Sequence, residues 1–264
     1  MTEAPLRLLD TTLRDGSAGS GFDPDGVARR AIALALEAAG IDAIELVSSD
    51  AEDIEGVQAL VADLLHVETC VIGPATSDAV GKALSLLDGA RLPRIHLYGD
   101  VTRDGALAPA LEAIFAARVN VDRVEFSPLR VFDVEIEDVV EAAVAASDSG
   151  ATTINLSDTN GRAEPEEVAM RVGRVAERVG DGCTISFHGH DHTGGAVANS
   201  LAAYRAGARQ VHVCIGGVGP NGGNTRLEAL IDALDASGIE PMACPGFDRM
   251  ALPGLTALVG RRAT

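Results

Sequence analysis

Eight short β-rich runs, each followed by a stretch with helical periodicity, restrict the fold of this chain more than any other feature. The runs cover residues 6–9, 43–47, 68–72, 94–98, 123–126, 152–156, 184–187 and 210–215. Between them lie Ala-rich segments such as 25–39, 106–117, 135–149 and 164–179, whose apolar residues recur at the spacing of one helix face. Asp23-Pro24 and Glu164-Pro165 set proline near a helix N-terminus, and Gly40 and Gly150 stand where a helix ends. Strand-helix units of about 30 residues, without linker or low-complexity tract, predict an α/β fold, a (β/α)8 TIM barrel. A doubly wound open sheet is the alternative. The barrel is expected to occupy residues 1–238, and 239–264, with Pro241, Pro245 and Pro253, to be a short irregular tail with at most one short helix and no regulatory domain.

Length and composition agree with one domain, because 264 residues at 47% hydrophobic content can bury one large core. The balance of 21 basic against 39 acidic residues, a formal charge of -18, repels phosphate backbones and anionic membranes. Nucleic acid and membranes are therefore not expected as partners. No apolar run approaches the roughly 20 residues of a membrane span, and the first ten residues lack the basic and apolar regions of a signal peptide, so a cytoplasmic protein is expected. Cys70, Cys183, Cys214 and Cys244 are scattered and read as buried thiols rather than a disulfide framework. Lys82 is the only lysine and falls on an outer helix, which argues against Schiff-base chemistry.

In a barrel of this kind the chemistry belongs at the C-terminal ends of the strands, and the polar residues collect there. After the first run come Asp10, Arg14 and Asp15; the second ends with Glu45; the fourth carries His96 and Tyr98. Glu125 and Ser127 lie on the fifth, Asp158, Thr159 and Asn160 follow the sixth, and His188 and His190 close the seventh. Residues spaced two apart on a strand point the same way, so His188, His190 and Asp15 offer three ligands to one divalent cation. Arg14 beside Asp15 would set a fixed positive charge where an oxyanion forms. Two positions stay open: Asp10 either accepts loop amides or supports Arg14, and Asp158 is either a turn cap or a substrate contact. The stretch from Gly217 to Gly222 matches G-x-G-x-x-G, but too little chain follows for a dinucleotide-binding domain. It reads instead as a flexible loop that lets backbone approach a ligand and delivers Asn224 to the metal.

Asp10-Thr11-Thr12-Leu13-Arg14-Asp15-Gly16, His188-Gly189-His190-Asp191, the run from Ala196 to Ser200 and the segment from Gly219 to Thr225 resemble the motifs of the DRE-TIM metallolyase superfamily. The likeness runs through nearly the whole chain and is strongest to the isopropylmalate, citramalate and homocitrate synthase branch. It implies Asp15, His188, His190 and Asn224 as ligands to Mg, Mn, Zn or Co, and Arg14 as the group that stabilises an enolate. It also implies a small-molecule 2-oxo or hydroxy acid and an acyl-CoA such as acetyl-CoA as partners, with Asp10, Ser127, Thr159 and Gly219 as substrate contacts. A homodimer is expected.

Departures from the family pattern limit the carry-over. Ser17-Ala18 stands where synthases usually carry Glu-Gln, and Leu129-Arg130 stands where an acidic residue usually follows Phe-Ser-Pro. Either the base lies inside the barrel, as Glu45, its basicity raised by desolvation, His96 or His192, or the partner is not acetyl-CoA. Claisen-type condensation of an acyl-CoA with a 2-oxo acid is the first expectation. A lyase or retro-aldolase acting on a 3-hydroxy acid is the second, and a non-catalytic metabolite-binding barrel the third.

Overall fold

All eight β-rich runs form strands in the computed structural model, which describes residues 5–18, 21–100, 106–237 and 244–260. The strands are β1 (Arg7–Asp10), β2 (Ala43–Ser48), β3 (Glu68–Pro74), β4 (Pro93–Gly99), β5 (Arg123–Pro128), β6 (Thr153–Asp158), β7 (Thr184–Gly189) and β8 (Gln210–Val213). They pair in parallel, in chain order, and β1 closes the cylinder against β8 through the register Arg7↔Gln210 to Asp10↔Val213. The open-sheet alternative is thereby excluded. Helices α1 (Gly26–Ala38), α2 (Ile54–Asp63), α3 (Ser77–Leu86), α4 (Leu107–Asn120), α5 (Ile136–Asp148), α6 (Pro165–Val179), α7 (Ala196–Arg205) and α8 (Leu227–Ala236) alternate with the strands. Local chemistry sets their starts: the Asp25 carboxylate accepts the Ala28 N–H at 2.9 Å, and Pro165 opens α6 at a position whose N–H has no helical partner. Lys82 lies on the outer side of α3, paired with Asp78 at 2.8 Å, and all four cysteines are buried free thiols.

The eighth strand is shorter than the run 210–215 suggested. After Val213 the Cys214 N–H bonds the Thr225 carbonyl at 2.9 Å and Gly216 takes a left-handed φ of 67°, so Ile215–Gly217 turns away as a short 3-10 segment. The tail carries the one short helix that the sequence allows it. Within 244–260, the Asp248 N–H bonds the Ala39 carbonyl at 2.7 Å, and α9 (Leu252–Gly260) packs near α1 with Leu255 and Val259 buried. Residues 239–243 and 261–264, Pro241 among them, lie outside the described residues. Among the described residues no helix is long and apolar enough to cross a membrane.

The strands alternate with an inversion that positions the site. Ile95, Leu97, Val124, Phe126, Ile154, Leu156, Ile185, Phe187, Val211 and Val213 are buried in the apolar layer shared with the helices. Their alternate neighbours Arg94, His96, Glu125, Ser127, Asn155, Ser186, His188, Gln210 and His212 are equally buried, and they hydrogen-bond one another inside the barrel. Arg94 anchors the lower layer. It donates to Glu68 (2.8 Å), Glu125 (2.6 Å), the Thr153 hydroxyl (3.2 Å) and the Gln210 carbonyl (2.9 Å). Burial alone would lower its pKa, but the Glu125 and Glu68 carboxylates outweigh that and hold it fully charged.

Breaking a buried ion pair from one side leaves the other charge uncompensated. Arg94→Ala should therefore lose about 3–5 kcal/mol of unfolding free energy in denaturant titration, whereas Lys82→Ala, on the exposed face, should change it by less than about 0.5 kcal/mol. Equal stability of the two variants would show that the Arg94 network does not hold the barrel interior.

Candidate active site

A tight turn after β1 places Arg14 and Asp15 at the barrel mouth. The Arg14 and Gly16 N–H groups both bond the Thr11 carbonyl, at 3.1 and 2.9 Å. A Cβ on Gly16 would lie 2.5 Å from the Thr12 carbonyl oxygen and 2.8 Å from Val218, so any side chain there would force the turn apart. Asp10 fixes the turn from below, accepting the Thr12 N–H at 2.9 Å and the Thr12 hydroxyl at 3.0 Å, while that hydroxyl oxygen accepts the Ile215 N–H at 2.9 Å. Of the two readings of Asp10 the structure therefore favours the loop-amide one: it is fully buried and does not line the cavity.

The cavity holds about 290 Å³ and is lined by Arg14, Asp15, Ser48, Ile72, His96, Tyr98, Ser127, Leu129, Asn155, Ser157, Thr159, His188, His190 and His212. On one side Asp15, His188 and His190 converge, with one donor atom from each lying within 4.8 Å of the others. His190 Nδ1 faces the Pro220 carbonyl at 3.1 Å; a carbonyl only accepts, so Nδ1 donates to it and Nε2 is turned toward the cluster. That nitrogen lies 3.0 Å from His188 Nε2 and 3.7 Å from Asp15 Oδ2, and Asp15 Oδ2 is buried without a hydrogen-bond partner. Burial, reinforced by His212 and His190, pushes His188 well below the usual imidazole range, so its ring is neutral. An antiparallel bridge from His190 to Asn224 brings the post-β8 loop alongside. The Asn224 amide donates to the Val218 carbonyl at 2.9 Å, which leaves Oδ1 buried and without a partner. Two imidazole nitrogens that face one another, a carboxylate oxygen without a protein donor and, on the adjoining loop, a buried amide oxygen without a partner are a donor set suited to a divalent cation. A second cluster, Glu45, Cys70 and His96, is built differently: its carboxylate is already engaged, and burial raises the Cys70 thiol well above its ordinary value.

Arg14 joins the two halves of the site. Its guanidinium donates to Asp15 Oδ1 and to Glu45 Oε2, and although burial opposes its charge, Glu45 and Asp15 raise its pKa further. Glu45 corrects the sequence-based expectation of a raised carboxylate. Burial does push it up, but Arg14 and the hydrogen bond from His96 outweigh that and hold it at about 2. Its other oxygen faces His96 Nδ1 at 2.7 Å, so Nδ1 carries the proton; His96 Nε2 in turn faces the Ser127 hydroxyl at 2.7 Å, and Asn155 donates to that hydroxyl at 2.8 Å. The result is a directed chain of carboxylate, imidazole and hydroxyl ending in the cavity.

The remaining expected residues fall in different places. Thr159 lines the cavity, and its carbonyl accepts the Asn221 amide at 2.9 Å. Asp158 caps its own turn, accepting the Arg162 and Ala163 N–H groups at 3.2 and 2.9 Å. Gly219 is not among the cavity-lining residues; it lies against Asn224, and a Cβ there would sit 2.1 Å from the Asn224 amide nitrogen. His192 is on the exposed rim, 3.3 Å from Arg162, rather than inside the barrel. His212 was not singled out from the sequence, although it stands two residues after Gln210 on β8 and follows the same alternation that drew attention to His188 and His190.

The 2-isopropylmalate synthase of Campylobacter hominis is 32% identical over 247 residues, covering 89% of this chain and 49% of that protein. That of Gloeothece citriformis is 37% identical over 258 residues, covering 89% and 47%. The chain thus spans about half the length of the curated relatives it matches. Among solved structures, hydroxymethylglutaryl-CoA lyase from Pseudomonas aeruginosa superposes with a TM-score of 0.82 over 98% of this chain and 93% of that one, at 20% identity, a likeness of fold. The HMGL-like family pattern matches residues 5–259, nearly end to end, and with these relatives it establishes that the chain belongs to the HMGL-like family, the DRE-TIM group that its motifs resemble.

Proposed function

We propose that this barrel makes a carbon-carbon bond by Claisen-type condensation of an acyl-CoA with a 2-oxo acid. The observation that carries the reading is one cavity in which Arg14 bridges the Asp15, His188 and His190 cluster to the Glu45, His96 and Ser127 chain. Its relatives' names, 2-isopropylmalate synthase, support the same chemistry. Asp15, His188, His190 and Asn224 would hold a divalent ion, Mg, Mn, Zn or Co. Bound there, it supplies Lewis acidity that polarises and orients the carbonyl of a 2-oxo acid.

The protein's own groups account for the rest. The acyl methyl gives up a proton to the Ser127 hydroxyl as the hydroxyl's own proton passes to His96 Nε2, and the Glu45 carboxylate stabilises the resulting imidazolium through Nδ1. Glu45 therefore orients His96 and does not itself take the proton, because a carboxyl held near 2 is a weak base. Arg14, charged and fixed on two sides, offsets the negative charge that develops on the enolate oxygen. Leu129 and Ile72 supply an apolar wall for the substrate's side chain. Cleavage of a 3-hydroxy acid, the reverse of the same bond-making chemistry in the same cavity, is the second reading. Incubating the protein with acetyl-CoA and a panel of 2-oxo acids under Mg or Mn separates the two: thiol release supports condensation, and none, with pyruvate released from hydroxy acids, supports the lyase.

His188→Ala should lose bound Mn, read directly by metal analysis after gel filtration, while far-UV circular dichroism stays that of the wild type. Undiminished metal content would remove the cluster from the mechanism. Arg14→Ala should cut turnover by roughly 100-fold or more with metal still bound, and Arg14→Lys should recover only part of it, because a point charge cannot span both carboxylates. Exchange of acyl methyl protons into deuterated water should disappear in His96→Asn; exchange at the wild-type rate would exclude His96 as the base.

A further inference from the structure

Among the described residues, five hydroxyl groups line one wall of the cavity: Ser48 on β2, Tyr98 on β4, Ser127 on β5, Ser157 on β6 and Thr159 just after it. Ile72 and Leu129 are the only aliphatic side chains in the lining, and none of the lining residues from Ser48 to Thr159 is a carboxylate, lysine or arginine. Ser127 is engaged by His96 Nε2 at 2.7 Å and by the Asn155 amide at 2.8 Å. The same Asn155 nitrogen lies 2.9 Å from Ser157 Oγ, so one buried amide fixes the spacing of the two hydroxyls. A hydroxyl both donates and accepts, so Ser157 keeps hydrogen-bonding capacity in hand. The Ser48, Tyr98 and Thr159 hydroxyls have no partner among the described residues.

These groups restrict what the wall can face. A purely hydrocarbon side chain would strip water from the hydroxyls and return no hydrogen bond. A second carboxylate or an ammonium group would meet no free opposite charge there, because the Arg14 guanidinium is already held by Asp15 and Glu45. A ligand hydroxyl satisfies the wall whichever way its own hydroxyls turn, donating to one oxygen and accepting from the next, and it needs no side chain in a particular protonation state. Ile72 and Leu129 would lie along the carbon chain beside it. We propose that Ser48, Tyr98, Ser157 and Thr159 bind the hydroxyl group of an uncharged, hydroxylated side chain, so that the 2-oxo acid taken by this barrel carries a hydroxyl beyond its ketone. That the ligand is a 2-oxo acid rests on the function proposed above; the hydroxyl rests on the lining of the cavity alone.

The test measures binding of 4-hydroxy-2-oxobutanoate and of 2-oxopentanoate, in which a methyl group replaces the hydroxyl, to the Mn-loaded protein by calorimetry without acyl-CoA. The hydroxy acid should bind about tenfold more tightly to the wild type. The Ser48→Ala/Ser157→Ala double variant, with far-UV circular dichroism like that of the wild type, should lose that preference. Equal or weaker binding of the hydroxy acid by the wild type overturns the proposal, as does an undiminished preference in the variant. Thiol release with acetyl-CoA is read separately. A binding preference without thiol release from any 2-oxo acid sustains this pocket and sinks the condensation. If neither acid binds, the proposal falls, and thiol release with other 2-oxo acids would leave the condensation standing without it.

Discussion

Arg94 makes a charged barrel interior tolerable, and the site above it depends on that. Barrels of this kind are commonly filled by bulky branched side chains, whereas here much of the interior is carboxylate, guanidinium, imidazole, amide and hydroxyl. One guanidinium reaches Glu68, Glu125, Thr153 and Gln210, groups contributed by four strands. Glu68 also binds Arg7 and Arg123 at the lower end of the barrel, at 2.6 and 2.7 Å. The lower layer is thus close to electrically balanced, and its carboxylates stay ionised despite burial. Glu125 then serves as the floor on which His212 stands.

The fold was legible in the sequence because a parallel barrel repeats one unit, and repetition survives errors at single boundaries. Misplaced ends arose where a backbone contact outside the run decided the matter, as when Thr225 captures Cys214 and ends β8. The convergence of Asp15, His188 and His190 was legible for a related reason: two of the three are neighbours by strand periodicity, and the third lies in a turn too tight for any residue but glycine at position 16.

The electrostatics of the site were much less legible. A glutamate at a strand end among apolar residues reads as a desolvated, more basic carboxyl, and only the folded chain shows that Arg14, 31 residues earlier, crosses from β1 to lie against it. The sign of the shift turns on that contact. Asp10 and Asp158 show the same limit in another form, since whether a carboxylate takes loop amides or a ligand depends on which N–H groups point at it. That the His212 ring lies against those of His96 and His188 is likewise seen only in the folded chain.

The pairing of β1 with β8 joins the two ends of the barrel, and the cluster of candidate ligands straddles that seam. Asp15 follows the first strand; His188 and His190 come from the seventh, and Asn224 follows the eighth. A cation gripped by these groups would act as a clasp on the cylinder, contributing its binding free energy to the closure that brings its ligands together. Closure and occupancy would then reinforce one another, so that a barrel sprung open at the seam would lose its grip on the ion even with every other strand still paired.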